Sequence, residues 1–120
     1  MLILKFKAWD KVKKQMFRPL AITFDTQSSA PFAVSVPGRS WEPIHKYEIL
    51  QYTGLTDKNG AEVFQGDLFE IESSLYRVIW DGETAGFKLQ NAKNSLTREI
   101  IEVSAKELRG NVYQNSELLG

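Results

Sequence analysis

One histidine, a spaced set of carboxylates, and a run of lysines interleaved with aromatic rings are the side chains of this 120-residue chain best suited to chemistry. His45 lies between Pro43 and Tyr47, with Glu42 and Glu48 nearby. An imidazole titrates near neutral pH and so suits a general base, but no matched nucleophile accompanies this one. Capping or exposure explains it better. Asp67, Glu70, Glu72, Asp81 and Glu83 would bind a divalent cation through oxygen if the fold brought them to one end, yet carboxylates at strand edges and turns ordinarily face water. Asp57, Asn59 and Gly60 look like the opening of a calcium loop. Such a loop needs an oxygen ligand at its fifth position and glycine at its sixth, where this chain has Ala61 and Glu62. With no cysteine, thiolate metal sites, disulfides and cysteine nucleophiles are excluded. Glycine-rich phosphate loops, a nucleophile elbow and paired metal-binding histidines are also missing. The expectation is a protein that is not an enzyme, with no catalytic residue, metal or cofactor.

Lys5, Lys7, Lys11, Lys13, Lys14 and Arg18, with Phe6 and Trp9 among them, form a second constellation. Cations for phosphates and rings for bases are what a single-strand nucleic-acid surface uses. The competing reading is an amphipathic hairpin whose rings are core and whose lysines block edge pairing. Fifteen basic residues balance fifteen acidic ones, so no global field draws the chain to nucleic acid or to an anionic membrane. That balance hides an asymmetry. Residues 1–18 hold six bases and one acid, a net of plus five, whereas residues 61–120 hold six bases and ten acids, a net of minus four. A charged-end contact between copies follows as a possibility.

The elements that would position these residues are organised around residues 51–71. Asp57, Lys58, Asn59 and Gly60 spell a turn: Asp57 accepts from the backbone two residues on, and Gly60 takes a positive φ without steric cost. A three-residue loop ending in a left-handed glycine is preferred to a two-residue Asn-Gly loop, because the shorter register sets Asp57 opposite Glu62. Gly66 and Asp67 make a second turn and launch a strand with Phe69 and Ile71 on one face and Glu70 and Glu72 on the other.

Upstream, residues 2–9 alternate as a half-buried strand until Trp9 breaks the pattern, and residues 10–14 supply a polar turn. Residues 15–24 return as an edge strand or as two short pieces, since Pro19 cannot donate to a ladder. Residues 25–43, rich in serine, proline and glycine, read as a long loop that Phe32, Val34, Val36 and Trp41 anchor to a barrel or to a neighbouring subunit. Downstream, residues 75–80 and 85–90 form a meander with Tyr76, Val78 and Trp80 on one face. Residues 97–103 read as a further strand, Ser104 as the N-cap of a single helical turn with Glu107 three residues on, and residues 111–114 as the last strand. The fold expected is mainly β: a small SH3-like barrel with an added N-terminal β-hairpin, one long loop and at most a short helical turn. Residues 1–52 are expected to form the hairpin and loop, and residues 53–120 the barrel with its tail, within one compact domain. Leu2-Ile3-Leu4 meets Lys5 at once, so no secretion signal is expected. No stretch reaches the roughly 18 apolar residues of a spanning helix, and a cytoplasmic protein without membrane contact is the default.

The motif Gln51-Tyr52-Thr53-Gly54-Leu55-Thr56-Asp57-Lys58-Asn59-Gly60, followed by Gln65-Gly66-Asp67, resembles the signature of YopX-like proteins, a family encoded mostly in phages and prophages of bacteria. Lys5-Phe6-Lys7-Ala8-Trp9-Asp10 resembles the family's opening, and Gly110-Asn111-Val112-Tyr113-Gln114-Asn115 its close, with Ser116 where the family often has proline. The resemblance implies a protein of a bacterial host's cytoplasm and carries over no catalytic residue. From the residues themselves, the leading expectation is a non-enzymatic module that forms homo-oligomers through Phe32, Trp41, Leu118 and Leu119, with a phage or host protein as a further partner. Nucleic-acid binding through the basic hairpin is the second reading.

Overall fold

The computed structural model describes residues 3–120; the expected start of the first strand at Leu2 lies outside the described residues. The chain is mainly β and divides into two compact units, one of residues Phe6–Leu50 and one of Gln51–Gly120 with residues 3–5. The strand β6 (Tyr47–Thr56) carries the backbone from one unit into the other.

In the unit of residues 6–50, β1 (Phe6–Asp10) and β2 (Gln15–Phe17) form an antiparallel hairpin with Ala8 opposite Phe17 and Trp9 opposite Met16. Asp10 shapes its turn by accepting the backbone N–H of Val12 and Lys13 on Oδ1, each at 2.9 Å. The return beyond the turn is two pieces, as proline demands: β3 (Ala21–Phe24) starts anew after Pro19.

Residues 25–43 depart from expectation. In place of one long loop they hold β4 (Pro31–Ser35) and β5 (Trp41–Pro43), which with β3 make an antiparallel sheet of order β3-β4-β5. The prolines punctuate the strands without breaking them. Pro31 opens β4 and Pro43 closes β5, positions where a missing N–H costs a ladder little. Ile22, Val34 and Glu42 lie opposite one another in register across the three strands. Val34, Val36 and Tyr47 form the buried core of this unit, with Phe17, Ile22, Ile44 and Ile49 packed on it. The Phe17 and Tyr47 rings meet edge to face at 5.6 Å.

Burial pushes the Tyr47 phenol up from its ordinary value of 10.0, and the Glu42 and Asp10 carboxylates push the same way. The fold therefore disfavours the phenolate, and the stability this contributes is complete below pH 10 and lost as pH climbs through the raised folded value. Tyr47→Phe is expected to flatten the alkaline limb: thermal melts from pH 9 to 11 should show a smaller fall in Tm for the variant than for the parent. Equal falls would rule out this residue as the alkaline trigger.

In the unit of residues 51–120, the second half of β6 pairs with β7 (Glu62–Phe64), and β8 (Asp67–Ile71), β9 (Ser74–Asp81), β10 (Gly86–Asn91) and β11 (Thr97–Glu99) follow as an antiparallel meander. The strand β12 (Gly110–Asn111) returns to pair with β8, Gly110 opposite Leu68, so that the order is β11-β10-β9-β8-β12. In β8 Phe69 and Ile71 share the inward face and Glu70 is exposed, while Leu68, on the Glu70 face, is wholly buried as well. Phe69 and Ile71 join Val63, Tyr76, Val78, Leu89 and Val103 in the core. Trp80 shares a strand face with Tyr76 and Val78 but is exposed, its ring edge-on to Phe87 at 5.1 Å.

The last third corrects the expected helical turn and the last two strands. The helical turn is a 3-10 segment at Ile100–Ala105, not one capped by Ser104, and it ends the strand expected over residues 97–103 at Glu99. The apolar pair Ile100 and Val103, three apart, eclipse on one face of a 3-10 turn, and both pack on the core. The final strand is two residues instead of four, because Asn111 Oδ1 accepts the N–H of Tyr113 and Gln114 and bends the chain away. Two more 3-10 turns occur, Ile44–Lys46 and Ser116–Leu119, so the helical content exceeds a single turn.

Candidate functional surfaces

The two turns expected from sequence are built as the residues require. Asp57 N–H donates to the Ala61 carbonyl at 2.8 Å, enclosing Lys58, Asn59 and Gly60 in a three-residue loop, and Thr56 rather than Asp57 lies opposite Glu62. Gly60 has φ +85°. The Asp57 side chain is only 6% exposed. Its Oδ1 accepts the N–H of Asn59 and of Ala61, each at 2.8 Å, and its Oδ2 accepts the N–H of Leu108 at 2.9 Å, so one carboxylate both shapes the hairpin and ties it to a segment 51 residues on. Lys58 N–H donates to Lys106 O at 3.0 Å alongside. These bonds hold the Asp57 carboxyl below its ordinary 3.8, the Leu108 bond contributing most.

Gly66 and Asp67 do the same for the next corner. The Asp67 carboxylate accepts the N–H of Phe64 at 2.8 Å, and Gly66, at φ +86°, donates its N–H to Val78 O at 2.9 Å and accepts that of Val112 at 2.8 Å. Asn59 is the donor of the first Asp57 bond. The Asp57 and Asp67 carboxylates, singled out in both turns, are thus absorbed by backbone geometry.

Of the five carboxylates considered as metal ligands, Asp67, Glu70, Glu72 and Asp81 are engaged separately. Glu70 pairs with Arg109 at 2.8 Å, Glu72 with Arg98 at 3.3 Å, and Asp81 holds its own turn through Glu83 N–H and Thr84 Oγ1. Among the described residues no group of three or more His, Asp or Glu side chains is placed to hold a metal ion. His45 is exposed in its 3-10 turn and offers only its backbone carbonyl, to Lys11 Nζ at 3.2 Å.

The basic hairpin is less of a nucleic-acid surface than its sequence implies. Trp9 is 7% exposed, so its ring serves the core and is not presented for base stacking. Lys5 pairs with Glu62 and lies 5.5 Å from the Tyr52 ring centre, and Lys11 pairs with Glu48 at 3.3 Å. Lys13 and Lys14 sit exposed at the hairpin turn. Lys7 and Arg18 also make contacts, which leaves the turn as the main free cationic feature.

The apolar anchors are where bulk hydrophobic area meets solvent. Phe32 is 65% and Trp41 50% exposed, and Val12, Leu20 and Phe24 of the same unit are exposed too. Register explains Trp41: it lies opposite Ser35, which lies opposite Ala21, and these small side chains leave the indole uncovered. Leu118 and Leu119, also exposed, line a pocket of 280 Å³ with Lys93 and Arg109. Sequence reasoning missed Lys93 and Arg109, since no motif links segments so far apart in the chain.

The architecture and its turn residues define the class as a mainly-β protein whose distinctive polar side chains hold hairpins. A family model described as "YopX protein" matches residues 5–120, and the chain belongs to that family. The crystal structure of protein EF1440 from Enterococcus faecalis is similar over 100% of both chains, with 27% identity and a TM-score of 0.74. No curated protein matches the chain. Among the described residues, no helix is long and apolar enough to cross a membrane.

Proposed function

We propose that this chain is a non-enzymatic protein-interaction module of phage or prophage origin that associates with copies of itself in the cytoplasm of a bacterial host. The observation that carries the reading is the exposure of large apolar side chains in the unit of residues 6–50, Phe32 and Trp41 foremost, on a sheet too small to bury them at home. Large apolar side chains left exposed mark candidate interaction surfaces, and by register Phe32 and Trp41 stand on opposite faces of this sheet, so each marks a contact of its own. Opposed charge supports the choice of a second copy as partner, plus five over residues 1–18 against minus four over residues 61–120. The engagement of Glu70 with Arg109, of Glu72 with Arg98 and of Asp81 with its own turn supports the non-enzymatic part. We also propose that residues 51–120 form an SH3-like barrel, a reading supported by the meander, by the 3-10 turn before the last strand and by the β8–β12 pairing.

Sedimentation velocity at low and moderate salt tests the main reading. Association is expected at micromolar concentration in both, and weaker in moderate salt, where the opposed ends are screened. A monomer under both conditions would refute self-association. Binding of single-stranded nucleic acid is the weaker alternative, since only the Lys13–Lys14 turn still favours it.

A further inference from the structure

Four separate segments of the unit of residues 51–120 meet around the 280 Å³ pocket: the β8–β9 turn, the bend after β10, Arg109, and the terminal 3-10 turn. Its wall is divided by chemistry. Leu75, Leu118 and Leu119 are apolar, and Lys93 and Arg109 are cationic, against the single carboxylate of Glu70.

The cations are not used up by the fold. Arg109 gives Nη1 to Glu70 Oε2 at 2.8 Å, which leaves Nη2 and Nε without a protein partner among the described residues. A guanidinium edge left open in this way matches the two oxygens of a carboxylate. The Lys93 ammonium makes no ion pair among the described residues, while its backbone N–H is held by Asn91 Oδ1 at 2.9 Å. The bend that presents the lysine is therefore fixed, and its charge is available.

The wall beside them is fixed as well. Glu72 and Ser73 sit consecutively at φ +51° and +68°, a tight hairpin turn made without glycine, and Ser73 lines the pocket. The volume is at the lower end of small-molecule sites, which start near ~300 Å³. A nucleotide is too large, and a bare inorganic anion would leave three leucines uncovered.

We propose that this pocket binds a small carboxylate carried on a branched apolar body, with the carboxylate on Arg109 and Lys93 and the aliphatic part against Leu75, Leu118 and Leu119. Two sources share that chemistry: a free short-chain acid, and the C-terminal carboxylate of a peptide ending in leucine. The inference is independent of self-association, because the pocket lies within one unit of one chain.

Titrations of the ¹⁵N-labelled full chain with 4-methylpentanoate, its neutral amide 4-methylpentanamide, and N-acetyl-alanyl-leucine test it. The two carboxylates are expected to give saturable shifts at the amides of Ser73, Ala92, Lys93 and Leu119, with the neutral amide at least ~10-fold weaker. The tighter of the two carboxylates identifies the source. Lys93→Gln is expected to weaken the acids about 5- to 10-fold while leaving the amide's binding and the Tm unchanged. Equal affinity for acid and amide would overturn the proposal. So would the absence of saturable shifts up to about 50 mM, beyond the range expected for a ligand of this size.

Discussion

Replacing Gly66 by alanine is expected to lower the melting temperature by about 10–15 °C, on the order of 3 kcal/mol for a chain of this length. Two costs add. The residue stands at φ +86°, where an L side chain is strained by roughly 1–2 kcal/mol. A methyl group built there would also lie 2.9 Å from Tyr113 Cε2 and 3.4 Å from Val112 Cγ2. Relief requires the Tyr113 ring to shift, beside a segment that the Val112 N–H holds to Gly66 O at 2.8 Å. Gly60→Ala provides the control. Gly60 is at φ +85° with nothing within 4 Å of the added carbon, so it carries only the backbone cost, ~1 kcal/mol. Similar losses for the two variants, read from urea melts with unchanged m-values, would show that packing against Tyr113 contributes nothing.

The second large effect concerns Asp57. Asp57→Ala removes the acceptor of three backbone N–H groups at once and is expected to lower Tm by on the order of 10 °C, since buried donors left unpaired lose their full hydration. Asp57→Asn should fall between. Its side-chain oxygen still serves Asn59 and Ala61, but its amide then faces the Leu108 N–H donor to donor. Acid behaviour separates the variants further. The folded carboxyl titrates below 3.8, so its contribution is complete above that pH and is lost as pH falls through the lowered folded value. Neither variant should show this part of the acid limb. If Asp57→Asn lost stability with falling pH as steeply as the parent, the acid sensitivity would reside elsewhere, Asp25 being the other carboxyl held low, by the backbone N–H of Ser28 and Gln27.

These two positions were legible in the sequence because their signals are local. An aspartate accepts from the residue two ahead, and a glycine takes a left-handed turn, whatever the rest of the chain does. Pro19 likewise announced its break between β2 and β3. What stayed hidden depended on distant partners. The Leu108 bond spans 51 residues, and no pattern around Leu108 marks it. The strands β4 and β5 were concealed by composition: serine and proline suggested a loop, whereas Val34 sits wholly buried and the prolines lie at strand ends. Ile100-Ile101-Glu102-Val103 admits a strand or a 3-10 reading, and it is packing of Ile100 and Val103 on the core that decides. The lysines flanking Trp9 suit either a base-stacking ring or a core ring, and its burial opposite Met16 selects the core. The pocket at Lys93 and Arg109 had no sequence signal at all, being assembled by topology from four segments.

The chain's polar signature serves its shape, and contact with another copy is the role we propose for its uncovered apolar side chains. Sedimentation of the parent beside the double variant Phe32→Ser with Trp41→Ser tests this most directly, because both side chains are half exposed or more and their loss leaves the cores intact. The prediction is an associating parent and a variant whose self-association is at least ~10-fold weaker with unchanged circular dichroism, as expected when central aromatic anchors are removed from an interface. A parent and variant that sediment identically, whether both as monomers or both as the same oligomer, would contradict it.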